Sequence, residues 1–505
     1  MNRVNVIPSS ISHHAVGEPV LAGTNVSSHF PYHFLLLLVL IAPLVHTYRG
    51  HKSRTERPLS VRLFKILSQM RYQVYSFVYN AVLNLARPTL SINIFPRKVL
   101  VTDPSMESIL SRHTSETSLA NVIFLIGRRV FDLSNETINA IGSYDPRPVH
   151  VGEFSSASNA RALVGQVSTA ANKRLQSQPD VQETELGPWL FKLTSSSVAS
   201  ALWGPESPWV VDDEFQTAFM EISGSQMTLL RPFSKYTAQA AHKARALIIS
   251  KLKSFHFNNR DSRLRQIAHR INAVALSDTE WESNKDYFNV ELLTSLGLLV
   301  TPSSMAVWMI RHLLMRPDLL ARVVKEARNP DILDAEGRID VARIRESFPF
   351  LAACLYETLR LHMTAIPRLA KTDLDIAVPN SQPIHLKNGD LIYLAMSSFN
   401  KDAQTWGSDA STFSPDKFLT NAGSLSASMV RKLRVFGVAG NLCPGRKVGF
   451  ETILFVVANV LRDFDIENPR GEDVAYPEPR TEDGFGIGFE RCANEITVRL
   501  RRVVA

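Results

Sequence analysis

Hydrophobic and polar positions are arranged in three ways along this chain, and each arrangement predicts a different element. The first is an unbroken apolar run, "FPYHFLLLLVLIAPLVHTY", from Phe30 to Tyr48, with no formally charged residue in its 19 positions. As a helix it extends about 28 Å at roughly 1.5 Å per residue, just enough to cross a bilayer. Arg49, Lys52, Arg54 and Arg57 follow at once, so the positive-inside rule places everything downstream in the cytosol. The 29 residues ahead of the run are polar and long for the n-region of a cleaved signal peptide, and no clear small-residue cleavage site follows. His33, Pro43 and His46 interrupt the span, which leaves a re-entrant or interfacial helix as the alternative to a membrane anchor. Asn25-Val26-Ser27 has the form of a glycosylation acceptor, in keeping with a lumenal tail.

The second arrangement is apolar nearly all round. Leu292 to Met315 has it, "LLTSLGLLVTPSSMAVWMIRHLLM", which predicts a helix buried in the middle of the protein. Its length would also suit a membrane span, but Gly297, Thr301, Pro302, Ser303, Ser304, Arg311 and His312 argue for a protein interior. "PFLAACLYETLRLHMT" predicts another helix opened by Pro349, since proline is tolerated in a first turn. The third arrangement is short and β-like: in the stretch Ala377 to Leu394, "LKNGDLIYLAM" predicts strands with a turn at Asn388-Gly389. Beyond residue 60 no repeat, low-complexity run or long linker interrupts the pattern. The chain therefore divides into a short lumenal tail (1–29), an anchor helix (30–48), a basic linker (49–59) and one large, mainly α domain with a minor β portion (60–505).

Composition narrows the function. With 45% hydrophobic and 21% charged residues over 505 positions the chain is an ordinary globular protein, and wholesale disorder is excluded. Cys354, Cys443 and Cys492 are too few for a disulfide framework and too scattered for a cysteine-rich metal module. A net charge of +8 raises nucleic acid as a partner. The basic residues are spread out, however, and no nucleic-acid motif occurs; a basic docking face for an acidic partner is the better reading, with no nucleic acid.

One of the cysteines stands in "RKLRVFGVAGNLCPGRKVGFETILFVV", residues 431 to 457, a basic and glycine-containing loop that runs into an apolar helix. To ligate a metal, Cys443 must be a thiolate, and an anion in a protein interior needs donors or a metal. Pro444 suits a first helical turn, and Gly445 lets the backbone approach a flat ligand. The sulfur would then face unpaired N–H groups and the positive end of a helix dipole.

This loop resembles that of the cytochrome P-450 heme-thiolate enzymes, F-x-x-G-x-R-x-C-x-G, with Phe436, Cys443 and Gly445 in register. Ala439 stands at the usual glycine, followed by Gly440, and Asn441 replaces an arginine that often contacts a heme propionate. Upstream, Glu357 and Arg360 in "LYETLRLH" match the family's E-x-x-R, whose i, i+3 spacing puts both groups on one helix face. A surface ion pair would look the same in sequence. In "NKDAQTWGSDASTFSPDKFL", Phe413, Pro415 and Phe418 match F-x-P-x-R-F, with Lys417 in place of the arginine that joins the ion-pair network. Lysine keeps the charge and loses the planar fork, so a looser network is expected. The tail "EDGFGIGFERCANEITVRLRR" and the proline of the central helix are most similar to the branch holding sterol 7α-hydroxylases and prostacyclin synthase, in a fungal-type microsomal member.

The resemblance implies a cytochrome P-450 fold. It implies heme b (iron protoporphyrin IX) with Cys443 as axial thiolate, O2 as co-substrate and NADPH-cytochrome P-450 reductase as electron donor. Arg431, Lys432, Arg434, Arg446 and Lys447 around the loop would dock that reductase. Arg368 stands where the family often places a propionate-binding arginine. No Trp-x-x-x-Arg is found before residue 180; Lys173 and Arg174 are candidate replacements. Aligned on Trp308, the central helix puts Val300 where most members carry an acid and Thr301 at the alcohol, so the acid is missing. Two activities stay open. Thr301, with water or with Ser303 or Ser304, would deliver protons for a monooxygenase, or the chain would rearrange a peroxide with no redox partner. A non-catalytic heme-binding protein is the third class. Apolar residues within 119–132, 226–233, 297–304, 364–369 and 484–488 match regions lining the family's pocket, and suggest a lipophilic terpenoid, steroid or polyketide-like substrate taken from the endoplasmic reticulum membrane.

Overall fold

The computed structural model describes residues 89–94, 97–102, 106–118, 122–143, 152–230, 233–259, 285–334, 339–340, 344–377, 383–437, 442–471, 474–480 and 488–503. All of them belong to the unit Ser60–Ala505. The tail, anchor and linker expected at 1–29, 30–48 and 49–59 lie outside the described residues.

Ten helices of nine residues or more carry the described fold: α1 (Val122–Val130), α2 (Asn135–Ser143), α3 (Ala157–Gln176), α4 (Leu186–Trp203) and α5 (Asp213–Leu230). After them come α6 (Gln239–Asn258), α7 (Tyr287–Leu314), α8 (Pro317–Ala327), α9 (Pro349–His362) and α10 (Arg446–Asp463). Both α8 and α9 start with proline, whose missing N–H is no loss in a first turn. The first N–H groups of α9 are met from α8, where the Glu326 carboxylate accepts from Phe350 and Leu351 at 2.9 and 2.8 Å.

The strands are β1 (Thr89–Ile94), β2 (Arg97–Thr102), β3 (Thr117–Ser118), β4 (Val181–Glu185) and β5 (Ala365–Ala370), then β6 (Leu374–Ile376), β7 (Ile384–Leu386), β8 (Leu391–Ala395), β9 (Phe464–Glu467) and β10 (Thr497–Arg502). They form a five-stranded sheet ordered β1-β2-β8-β5-β3, a three-stranded sheet ordered β4-β10-β9 and the pair β6-β7. Among the described strands only β2 and β8 pair in parallel. The expected turn is present at Asn388-Gly389, with Gly389 at φ +86°, in the left-handed region that favours glycine. It does not close a hairpin: β7 pairs with β6, while β8 pairs with β2 and β5. The composition of β8 explains this, since "LIYLA" is apolar on successive positions and buried along most of its length, as a central strand must be.

The central helix is α7. Of its 28 residues 21 are buried, so the length and hydropathy that would suit a membrane span serve a protein core instead. Two apolar clusters meet along it. Tyr287 to Val300 packs with α1 to α6, and Met305 to Leu314 packs with α8, α9 and α10. Between them lie Thr301, Pro302, Ser303 and Ser304, where Pro302 interrupts the helical hydrogen bonds.

Candidate heme-thiolate site

Cys443 lies two residues before the N-cap of α10, which is Gly445. Pro444 therefore stands in the turn ahead of the helix, not in its first turn as its sequence position suggested. The turn is held on three sides: the Cys443 N–H donates to the Phe436 carbonyl at 2.7 Å, the Arg446 N–H donates to the Cys443 carbonyl at 3.3 Å, and Ser155 Oγ donates to the Pro444 carbonyl at 3.0 Å. A Cβ on Gly445 would sit 4.0 Å from Cys443 Sγ and touch nothing closer. Ser155 was not visible as a contact of this loop from the sequence, because 289 positions separate it from Pro444.

As a residue Cys443 is exposed, yet protein atoms crowd round Sγ. That crowding pushes the thiol pKa up, opposed by the Gly445 N–H and by the Arg446 charge. A metal bound at this sulfur would remove the proton, as coordination of a thiol does. The other two cysteines are unsuited to ligation: Cys354 is fully buried and its thiol is pushed well up by burial, and Cys492 is half-buried. No disulfide forms.

Glu357 and Arg360 are both fully buried on α9, which excludes the surface ion pair. The contact is bidentate: Arg360 Nε and Nη2 donate to Glu357 Oε2 and Oε1 at 2.6 and 2.8 Å. The pair also ties down the stretch that follows β8. Arg360 Nη1 reaches the carbonyls of Asn400 and Ala410 at 2.5 and 2.6 Å, and Glu357 Oε1 accepts from the Ser414 N–H at 2.8 Å. Lys417 is not part of this arrangement. Its ammonium pairs with Asp409 at the surface. The expected third charge of the network is thus diverted, and four backbone contacts, counting Arg360 Nη2 to the Thr412 carbonyl at 3.4 Å, close the gap instead.

Asn400 connects the pair to the cysteine loop. Fully buried, it accepts from the Arg434 N–H at 3.2 Å and donates to the Arg434 carbonyl at 3.1 Å. Its own carbonyl is the one Arg360 holds. The sequence pointed to the segment but not to this side chain, since nothing local distinguishes a bridging asparagine from a turn residue.

The remaining expected residues are placed as follows. Arg368 is fully buried in the middle of β5, opposite Ile392 of β8. Arg431 and Lys432 are exposed at the end of the short helix Ala427–Lys432, Arg434 and Lys447 are half-buried, and Arg446 is exposed. Val438 to Asn441, with both departures from the loop pattern, lie outside the described residues. So do 119–121, 231–232 and 484–487 of the expected pocket segments. Of the two candidate replacements for the missing motif, Arg174 has its Nη2 on the Val210 carbonyl at 2.5 Å, and Lys173 is exposed. Val300 is 2% exposed in the apolar cluster shared with α1 to α6, and Ser303 Oγ is held on the Leu299 carbonyl at 2.7 Å. Thr301 is half-buried on the side of α7 that carries exposed Gly297.

Trp308, Phe413, His312 and His362 form a stack behind the site. The Trp308 and His362 rings are 3.6 Å apart, His312 and Phe413 are 4.4 Å apart, and the two histidines meet Nε2 to Nε2 at 2.7 Å. Burial keeps both histidines well below the usual imidazole range.

A thiol on an exposed residue, in a constrained turn at a helix start and backed by a buried carboxylate–guanidinium pair, suits a thiolate-ligated heme, and the fully buried cation Arg368 suits an anionic group of that ligand. The comparisons agree. A profile of the cytochrome P450 family matches residues 147–489, which include Glu357, Arg360 and Cys443. The chain is similar to a cytochrome P450 monooxygenase of Hypoxylon pulicicidum, 23% identical over 65% of this chain and 64% of that protein. It is also similar to one of Gibberella zeae, 23% identical over 58% of this chain and 57% of that protein. A shorter match, 32% identical over 33% of this chain and 27% of the relative, is to a cytochrome P450 monooxygenase of Aspergillus fumigatus. The match covers less than two thirds of each of these relatives. With the family profile spanning residues 147–489, most of its length, this chain belongs to the cytochrome P450 family.

Proposed function

We propose that the protein is a heme-dependent monooxygenase that inserts one oxygen atom of O2 into a lipophilic small molecule. Electrons would come from NADPH through a cytochrome P-450 reductase. The observation that carries this reading is Cys443: an exposed residue in a turn pinned by three hydrogen bonds at the start of α10. Heme b bound there would supply the activation of dioxygen. The chain's own residues would hold that group: Cys443 through its sulfur and Arg368 through an anionic edge, with Thr301 offering a hydroxyl from α7. The three relatives described above are each named monooxygenases, which supports the same reaction class.

Arg431, Lys432, Arg434, Arg446 and Lys447 cluster in sequence about the cysteine turn, and exposed Leu442 sits among them. A basic rim with one apolar contact is the complement of an acidic flavoprotein surface. The anchor at 30–48 would keep the enzyme in the endoplasmic reticulum membrane, where terpenoid, steroid or polyketide-like substrates partition.

The missing acid at Val300 favours a second reading, rearrangement of a peroxide with no electron donor. Purified, heme-loaded protein decides between them. A carbon monoxide difference band characteristic of thiolate ligation, absent in Cys443→Ser, establishes the ligand. Terpenoid, steroid and polyketide-like compounds are then screened for type I spectral shifts. Turnover of a shifting compound only with reductase and NADPH supports oxygen insertion. Turnover of an organic peroxide without them replaces it with the rearrangement reading.

A further inference from the structure

Arg174 stands near the end of α3, a helix that begins two residues past Ser155, the residue that holds the Pro444 carbonyl. Ala157 and Arg174 are 17 positions apart, so about 25 Å of helix, at roughly 1.5 Å per residue, carries the guanidinium away from the cysteine turn. At that far end the close of α3, the first turns of α4 and the start of α5 frame a cavity of about 370 Å³. Its size is in the range of about 300–1,000 Å³ that takes a drug-sized molecule. None of the residues lining it belongs to α7, to α9 or to the cysteine turn.

The charged groups of the lining are those of Arg174, Lys192 and Asp213. Arg174 commits Nη2 to the Val210 carbonyl, while Nε and Nη1 take no partner among the described residues and reach solvent. Burial lowers its pKa and the charge of Asp213 opposes that, so this cation is partly stripped of water. Asp213 does not pair with it: that carboxylate is 93% exposed and leans on Lys192 at 3.5 Å, a weak surface contact. Gln216 adds a second unmet group. It is 8% exposed, and its Nε2 donates to the carbonyls of Trp209 and Val210 at 2.9 and 3.2 Å, which settles which end of the amide is oxygen. Oε1 takes no donor among the described residues and is not sealed from solvent, so it opens on the cavity that Gln216 lines. Trp189 supplies an aromatic wall, its Nε1 held on Gln178 Oε1 at 3.2 Å, and Leu193 and exposed Val211 add apolar surface.

We propose that this cavity binds a small organic acid of one negative charge, a carboxylate on a flat apolar body that also carries a hydroxyl. The carboxylate lies between Arg174 and Lys192, the hydroxyl donates to Gln216 Oε1 and the body rests against Trp189. Two cations against one carboxylate leave the lining one positive charge in excess, which matches a monoanion. A phosphate monoester carries close to two negative charges at neutral pH and would add repulsion at Asp213. On binding, the acid takes Lys192 from Asp213, whose exposed carboxylate returns to water. Binding here is independent of the reaction at Cys443.

The test is isothermal titration of the full-length, heme-loaded chain with 4-hydroxyphenylacetate and 4-hydroxycinnamate, the heme absorbance being recorded at each point. Wild type is expected to bind at least one of them with a Kd below about 1 mM while the heme band stays where it was. Phenylacetate and cinnamate lack the hydroxyl and are expected to bind about threefold more weakly or worse. The methyl ester of the better acid lacks the charge and is expected to lose about tenfold, as is the acid itself in Lys192→Met. In Asp213→Asn no carboxylate competes for Lys192, and affinity is expected to rise about threefold. Asp213 is exposed, so this variant reports on the site even where Lys192→Met fails to load heme. Any one of five results overturns the proposal: no binding of either hydroxy acid; a heme shift with the same midpoint as the heat; an ester that binds as tightly as its acid; an affinity in Asp213→Asn no higher than wild type; or phenyl phosphate bound more tightly than phenylacetate. Equal affinity with and without the hydroxyl overturns the assignment of Gln216 Oε1.

Discussion

Asn400 grips Arg434 by both backbone groups, accepting from its N–H at 3.2 Å and donating to its carbonyl at 3.1 Å, while Arg360 holds the Asn400 carbonyl at 2.5 Å. The chain of contacts runs from the buried pair on α9 to a residue nine positions before Cys443. It gives the E-x-x-R motif a physical task in this protein, which is to fix the backbone from which the cysteine turn departs.

Asn400→Ala should therefore act on the cysteine turn from a distance. It removes two hydrogen bonds to the half-buried backbone of Arg434, each worth about 0.5–1.5 kcal/mol. Heme retention should fall with it. Urea unfolding and the heme-to-protein absorbance ratio check both, and a variant as stable and as fully loaded as wild type would remove the bridge from the account.

Arg360→Lys tests the fork itself. A lysine ammonium cannot span Glu357, Asn400 and Ala410 as the guanidinium does, so at least one buried acceptor loses its donor and the buried carboxylate loses a bidentate partner. Breaking a fully buried pair costs about 3–5 kcal/mol. Expression without bound heme, or a strongly lowered unfolding midpoint, is the expected result; a near-normal holoenzyme would show the planar geometry to be dispensable.

Lys417→Ala makes the opposite prediction. Because its ammonium meets Asp409 at the surface and reaches neither Glu357 nor Arg360, heme content and the carbon monoxide band should stay at wild-type values. Loss of heme in this variant would restore lysine to the ion-pair network from which the structure removes it.

These residues also show what a sequence can and cannot give. Glu357, Arg360, Cys443 and Gly445 were legible because each sits in a short motif whose spacing states its geometry. The core helix α7 and the proline start of α9 were legible from hydropathy period and first-turn chemistry alone. Lys417 was misplaced because a motif position says which residue replaces an arginine, not which partner its flexible stem will choose. The partner at position 409 was as close in sequence as the one expected was distant. Asn400 and Ser155 were missed because each acts on a backbone group more than 30 positions away, and no side-chain pattern marks a carbonyl as an acceptor. The strand pairing failed for a related reason: an Asn-Gly turn specifies local φ angles, but the neighbours of β8 are chosen by burial on both of its faces.

The stacked histidines give a pH dependence with a definite sign. His362 lies among Trp308, His312 and Glu490, whose Oε2 is 3.3 Å from its Nδ1, with Lys401 beyond. Burial, joined by the charges of Lys401 and Arg360, holds its folded pKa well below the unfolded value near 6.5; burial and neighbouring positive charge do the same for His312. Below that pH the unfolded chain binds protons that the folded chain refuses, so stability is complete above about pH 6.5 and falls as the pH drops. Each histidine contributes a slope of about 1.4 kcal/mol per pH unit. Burial raises the pKa of Glu490, which favours its protonated form and contributes the opposite slope at lower pH, above its own unfolded value. Urea midpoints measured from pH 7.5 to 5.5 should therefore fall steeply in wild type. His312→Phe keeps an aromatic ring against Phe413 and removes one titrating group, so its profile should be flatter across the same range. Parallel profiles for the two proteins would mean that the pair is protonated in the folded state, and the neutral Nε2 to Nε2 contact would have to be abandoned.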